Sequence, residues 1–136
     1  MKLSEISTET VFHVTFEQKL PLIKKNGLIV GKKRNWSNVF GTKLGSTKYI
    51  YFFTDLSVAA RWAHKMNYEF EKPVIILICK LESEIESDMM LGGAAIKTNE
   101  NVPPKNIIGY IFPNMFLYRQ ITNGGTITEM PKIHTL

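Results

Sequence analysis

"KYIYFFTDLSVAARWAHKM", residues 48–66, changes its period halfway along and thereby decides the class of fold. Its opening residues are aromatic or β-branched, the composition of a strand. From Leu56 onward, Ala59, Trp62, Ala63 and Met66 fall on one helical face. Thr54 or Asp55 stands where a helix N-cap is wanted. Downstream, "PVIILICKLE" (73–82) is a near-continuous apolar run, the mark of a strand buried on both faces. Upstream, "TVFHVTF" (10–16) reads as another strand. It is followed by "LPLIKKNGL", a short helix over about 20–26 with Pro21 in its first turn and Asn26–Gly27 as its stop.

Residues 29–47, "IVGKKRNWSNVFGTKLGST", carry three glycines and little periodicity, so a long loop is expected there. Beyond the buried strand come a weaker one at about 94–98 ("AAIKT"), the turn "NENVPPKN" and a strand in "IIGYIF". The spacing of "FLYRQIT", "NGG" and "TITEM" predicts a terminal β-hairpin. With no repeat, low-complexity tract or linker, the expectation is one domain over residues 1–136. Its class is α+β: a small mixed sheet with two short helices in the N-terminal half.

Composition narrows the function classes. A chain of 136 residues, 44% apolar and 21% charged, can bury a proper core. No window reaches the roughly 18–20 apolar residues of a membrane span, so no membrane partner is expected. The start, "MKLSEISTETV", lacks the apolar centre of a secretion signal. Cys79 is the only cysteine, cannot form an internal disulfide and reads as a buried, inert thiol. A cytoplasmic protein fits these features. One cysteine and three scattered histidines (13, 64 and 134) give no metal-ligand spacing, so no metal is expected. Phosphate-binding glycine loops and the serine nucleophile elbow are absent too.

Charge is polarised along the chain. Gln18 to Thr54 hold eight basic residues and no acid; subtracting that +8 from the overall +5 leaves −3 for the remainder. A solvated face is the plain reading, and attraction to phosphates or an acidic partner the functional one.

"VFHVTF" (11–16) poses the sharper question, because His13 interrupts an apolar run and Thr15 points to the same side of the strand. Alone, such a histidine is a core imidazole bonded to a backbone carbonyl. Taken with the order of elements, however, it resembles the first motif of the ADP-ribosyltransferase superfamily. The branch is the His–Tyr–Glu one, which includes the poly-ADP-ribose polymerases and bacterial toxins that modify DNA bases. The resemblance covers about three quarters of the chain, roughly residues 10–110: "VFHVT", a short helix ending "KNGL", a long loop, "YIYFF", "DLSVAARWA" and "VIILICKLE".

That resemblance implies a sheet split around a nicotinamide pocket, with NAD as co-substrate. His13 would hydrogen-bond a ribose hydroxyl, Thr15 would assist, and the backbone of Val14 would pair with the nicotinamide amide. A neutral imidazole suits this work, since one nitrogen donates while the other accepts. Tyr51 stands at the family's tyrosine position and Trp62, eleven residues on, would complete an aromatic sandwich around the ring. On this reading the imidazole and the phenol share one hollow. Ala59 departs from the family, whose polymerases commonly place there a serine that bonds the carboxamide. The family's carboxylate is implied at Glu100, the only acid between Asp88 and Glu129. Lys33 and Arg34, with Lys32, would hold the pyrophosphate or meet the acceptor.

The "VPPKNI" turn is also similar to RNA 2′-phosphotransferases, which use arginines around the histidine. Here only Arg34, Arg61 and Arg119 exist, and none adjoins the first strand. Three readings follow. One is a mono-ADP-ribosyltransferase acting on a macromolecular acceptor, protein or nucleic acid, as a compact microbial or viral effector. The second is a catalytically degraded module of the same fold that binds NAD or a derivative, or docks on a protein. The third is a basic nucleic-acid-binding protein with no pocket.

Overall fold

A computed structural model describes residues 10–30, 49–81, 86–88, 95–98, 100–122, 127, 129 and 131–136. Residues 49–66 fold as their period demands. β2 (Ile50–Phe53) runs into α2 (Leu56–Phe70). Asp55 is the cap: its Oδ1 accepts the Ser57 N–H and the Ser57 hydroxyl, both at 2.8 Å. Ala59, Ala60, Ala63 and Met66 form the buried stripe, and the three small residues let the helix lie close on the sheet. α2 ends at Glu71, which adopts the left-handed conformation (φ 52°) and donates its N–H to the Asn67 carbonyl.

Around this unit stand β1 (Thr10–Phe16), α1 (Leu20–Asn26), β3 (Val74–Lys80), β4 (Glu86–Asp88), β5 (Ala95–Thr98), β6 (Ile107–Ile111) and α3 (Met115–Thr122). The six strands form one sheet in the order β4-β5-β2-β1-β3-β6. Every recorded strand pairing is antiparallel, which corrects the expected mixed sheet. The reason is topological. β2 and β3 point the same way and are joined across one face by α2, but β1 lies between them. What would have been a parallel pair becomes two antiparallel ones.

The terminal hairpin is also corrected: "FLYRQIT" belongs to α3. Asn114 caps that helix, its Oδ1 accepting the Leu117 N–H at 2.9 Å. Leu117, Tyr118 and Ile121 then bury one face at helical spacing. The chain thus has a third helix beyond the two expected. The "NGG" turn lies outside the described residues, as does most of the long loop, including Lys32, Lys33 and Arg34.

The sheet is buried on both faces. Val14, Phe53, Ile76 and the stripe of α2 pack on one, together with Leu117 and Ile121 of α3. Val11, Phe52, Ile75 and Leu77 pack on the other, with Leu20 and Ile23 of α1. The strand junctions are unequal. β1 and β3 share seven register pairs and β2 and β5 four, whereas β1 and β2 share one, Phe12↔Phe53. The seam between β1 and β2 is where the sheet is held least by its own ladder.

Candidate functional site

His13 lies at that seam. Its ring is buried, 8% exposed, and its Nδ1 is 2.8 Å from the Tyr51 carbonyl oxygen. A carbonyl can only accept, so Nδ1 carries the proton and, in the neutral ring, Nε2 is the acceptor. In a ladder continued from Phe12↔Phe53, position 14 would stand opposite position 51. The recorded register stops short of that, and the Tyr51 carbonyl is engaged by the imidazole instead. The plain reading of a core histidine bonded to a backbone carbonyl is therefore met in form. What exceeds it is the identity of the carbonyl, which belongs to the residue at the second motif.

The two rings do not share a face. His13 alternates with Val11 on the α1 side, and its ring lies 5.5 Å from that of Phe52, which is in the same core. Tyr51 is buried in the α2-side core, its ring 6.3 Å from that of Tyr49. The expectation of one hollow lined by both rings is corrected: strand alternation sends imidazole and phenol to opposite faces, and the backbone of residue 51 joins them. Trp62, half-buried on α2, stacks on Phe53 with centroids 6.0 Å apart and planes 25° from parallel. Ala59 is fully buried against the sheet.

Three buried polar side chains gather on the α1 side. Thr15 shares the parity of His13, and Thr98 stands in register with Ile50, which packs in the α1-side core. Thr15, Ile50 and Thr98 thus lie toward one end of the sheet, on β1, β2 and β5, which are neighbours. Thr98 went unnoticed in the sequence, where it reads as the last residue of a weak strand. Its signal was alternation with the buried Ile96. Glu100 follows two residues later, exposed, on the turn leaving β5 at the same end. Its backbone N–H donates to Thr98 Oγ1 at 3.3 Å. Of the bases on the early segment that are described, Lys24 and Lys25 are exposed on α1 and Lys19, just before it, is half-buried.

Among the described residues no group of three or more His, Cys, Asp or Glu side chains could hold a metal ion, and no helix is long and apolar enough to cross a membrane. A groove of about 600 Å³ at the start of α1 is lined by Glu17, Gln18, Leu20, Pro21, Lys24 and Pro73, none of them a candidate site residue. Compared with known proteins, the chain matches no family model and no curated sequence.

Proposed function

We propose that the protein is an ADP-ribosyltransferase that uses NAD as co-substrate and transfers ADP-ribose to a macromolecular acceptor. The observation that carries this reading is the 2.8 Å bond from His13 Nδ1 to the Tyr51 carbonyl across a seam with a single register pair. It links two of the three motif residues that the resemblance singled out, and in the neutral ring it makes Nε2 the acceptor nitrogen. The shortened ladder is the local form of a sheet that splits. With Val14 past the last β1–β2 register pair, its backbone is the edge against which the nicotinamide amide would pair.

In the reaction, the bond between nicotinamide nitrogen and ribose C1′ breaks and nicotinamide leaves with the electron pair. A lone pair of the acceptor forms the new bond at C1′, and the acceptor's proton passes to the Glu100 carboxylate. The charge that develops on the ribose resembles that of glycoside hydrolysis, which is why a carboxylate is wanted. His13 orients the ribose and Thr15 stands beside it. The Tyr51 ring lies on the opposite face from His13 and would meet the nicotinamide only where the seam parts, with Trp62 on that same α2 side. Lys33 and Arg34 supply cations for the pyrophosphate or the acceptor.

Two observations favour a second reading. Glu100 is exposed on a turn, and Ala59 fills by packing the position where the polymerases commonly carry a serine. A module that grips NAD without turnover fits those two facts. Incubation with NAD labelled in the nicotinamide separates the two. The transferase releases label, and Glu100→Ala lowers that release by about two orders of magnitude or more. Saturable binding without release, indifferent to Glu100, supports the module. A mass gain of one ADP-ribose on targets in cells expressing wild type but not Glu100→Ala would name the acceptor.

A further inference from the structure

The candidate carboxylate sits outside regular strand, yet its own position and the two that follow are anchored. Glu100 donates its N–H to Thr98 Oγ1. Asn101 Oδ1 accepts the N–H of Val30 at 2.8 Å, seventy-one positions earlier in the chain. Val102 exchanges both backbone hydrogen bonds with Leu28, at 2.8 and 2.9 Å. The partner stretch is fixed in turn to α1. Gly27 donates its N–H to the Ile23 carbonyl at 2.8 Å, with φ +74°, a conformation that side chains rarely adopt. A Cβ at that position would also run into the Val102 carbonyl oxygen. The turn carrying Glu100 is therefore fastened to the end of α1, and only glycine permits so close an approach.

Of these fastenings, the one adjacent to Glu100 on its C-terminal side is made by a side chain. We propose that Asn101 is a positioning residue for Glu100: by accepting the Val30 N–H it fixes the backbone that aims the carboxylate toward the His13, Thr15 and Thr98 end of the sheet. The proposal rests on the reading of Glu100 as the carboxylate of an ADP-ribosyl transfer. What the site needs from position 101 is an oxygen acceptor at the right reach, and aspartate supplies it while alanine does not. Of the two bonds that flank Glu100, the one to Thr98 is local and partly buried and the one between Val30 and Asn101 is long-range and exposed, so loss of the second leaves the core intact and moves the carboxylate.

The test compares wild type, Glu100→Gln, Asn101→Ala and Asn101→Asp in saturation kinetics of nicotinamide release from labelled NAD, with thermal melts and amide exchange at Val30. Misplacing a reacting group by about 1 Å costs up to roughly a hundredfold, so Asn101→Ala should lower kcat by about tenfold or more. Its KM should stay within about twofold, because the ligand's binding groups lie elsewhere. Exchange at Val30 should accelerate, and Asn101→Asp should restore kcat to within about threefold of wild type with Val30 protected again. Loss of kcat in both variants alike, or wild-type turnover in Asn101→Ala, overturns the proposal while leaving the transferase reading in place. Silence of the wild type, or full activity of Glu100→Gln, overturns the reading beneath it and the proposal with it.

Discussion

At the scale of single residues, two buried groups make opposite demands on the fold. His13 is held through Nδ1 on the Tyr51 carbonyl. His13→Ala therefore removes a partner from a buried acceptor and should cost about 1–3 kcal/mol of stability, measurable in denaturant unfolding. The same variant should abolish nicotinamide release at temperatures where it is still folded. A variant that melts early but turns over normally would mark His13 as purely structural. Cys79 illustrates the reverse case. It is fully buried on β3, and burial pushes its thiol from an ordinary value of 9.0 up to about 12; burial likewise raises the Tyr118 phenol from 10.0 to about 12. Both values are raised in the folded state, so their contribution is intact below about 9 and is lost as pH climbs to about 12. Stability should fall by up to about 1.4 kcal/mol per pH unit for each group whose unfolded form has ionised. Cys79→Val should flatten the part of that decline that begins near pH 9, and native Cys79 should resist alkylation at neutral pH.

At the scale of elements, caps and edges decide what forms. Asp55→Ala removes the Oδ1 that holds Ser57 and should cost about 1 kcal/mol, read as a lower denaturant midpoint. Most of this level was legible in the sequence. α1 was placed at its ends by Pro21 and Gly27 and β3 by its unbroken apolar run, and the weaker strand expected at about 94–98 is β5, each to within a residue or two. "FLYRQIT" was misread because a following Asn–Gly–Gly outweighed the helical spacing of Leu117, Tyr118 and Ile121, and because Asn114 was not noticed as a cap. The segment that covers the sheet's far edge was invisible for a different reason. β6 is bridged by His134, whose N–H and carbonyl pair with Tyr110 at 2.8 and 2.9 Å, and whose ring stacks on that of Tyr110. No local pattern announces one residue pairing with a strand twenty-four positions earlier. Gly109 makes room for it, since a Cβ would stand 2.5 Å from the His134 carbonyl oxygen. Gly109→Val should free the C-terminal segment, seen as faster amide exchange at Tyr110 and His134 with β1–β3 protection unchanged.

At the scale of the whole molecule, the sequence could announce which residues matter more readily than where they face. His13, Thr15 and Tyr51 were singled out by type and order, but the face each occupies depends on register, and register belongs to the assembled sheet. Placing β1 between β2 and β3 fixes that register, leaves one pair to hold β1 to β2, and turns a side chain into the substitute for a ladder bond. Thr98 entered the site through strand order, and Asn101 through its bond to Val30. The molecule's charge, +5 overall with eight bases between Gln18 and Thr54, would also suit a pocketless nucleic-acid binder, for which NAD should not compete. The most direct measurement is nitrogen-15 NMR of the His13 imidazole during titration with NAD. The account predicts a protonated Nδ1 in the free protein and a saturable shift of Nε2 as NAD binds at the seam. An Nε2-protonated ring, or a His13 signal unmoved by NAD in a folded protein, would contradict it.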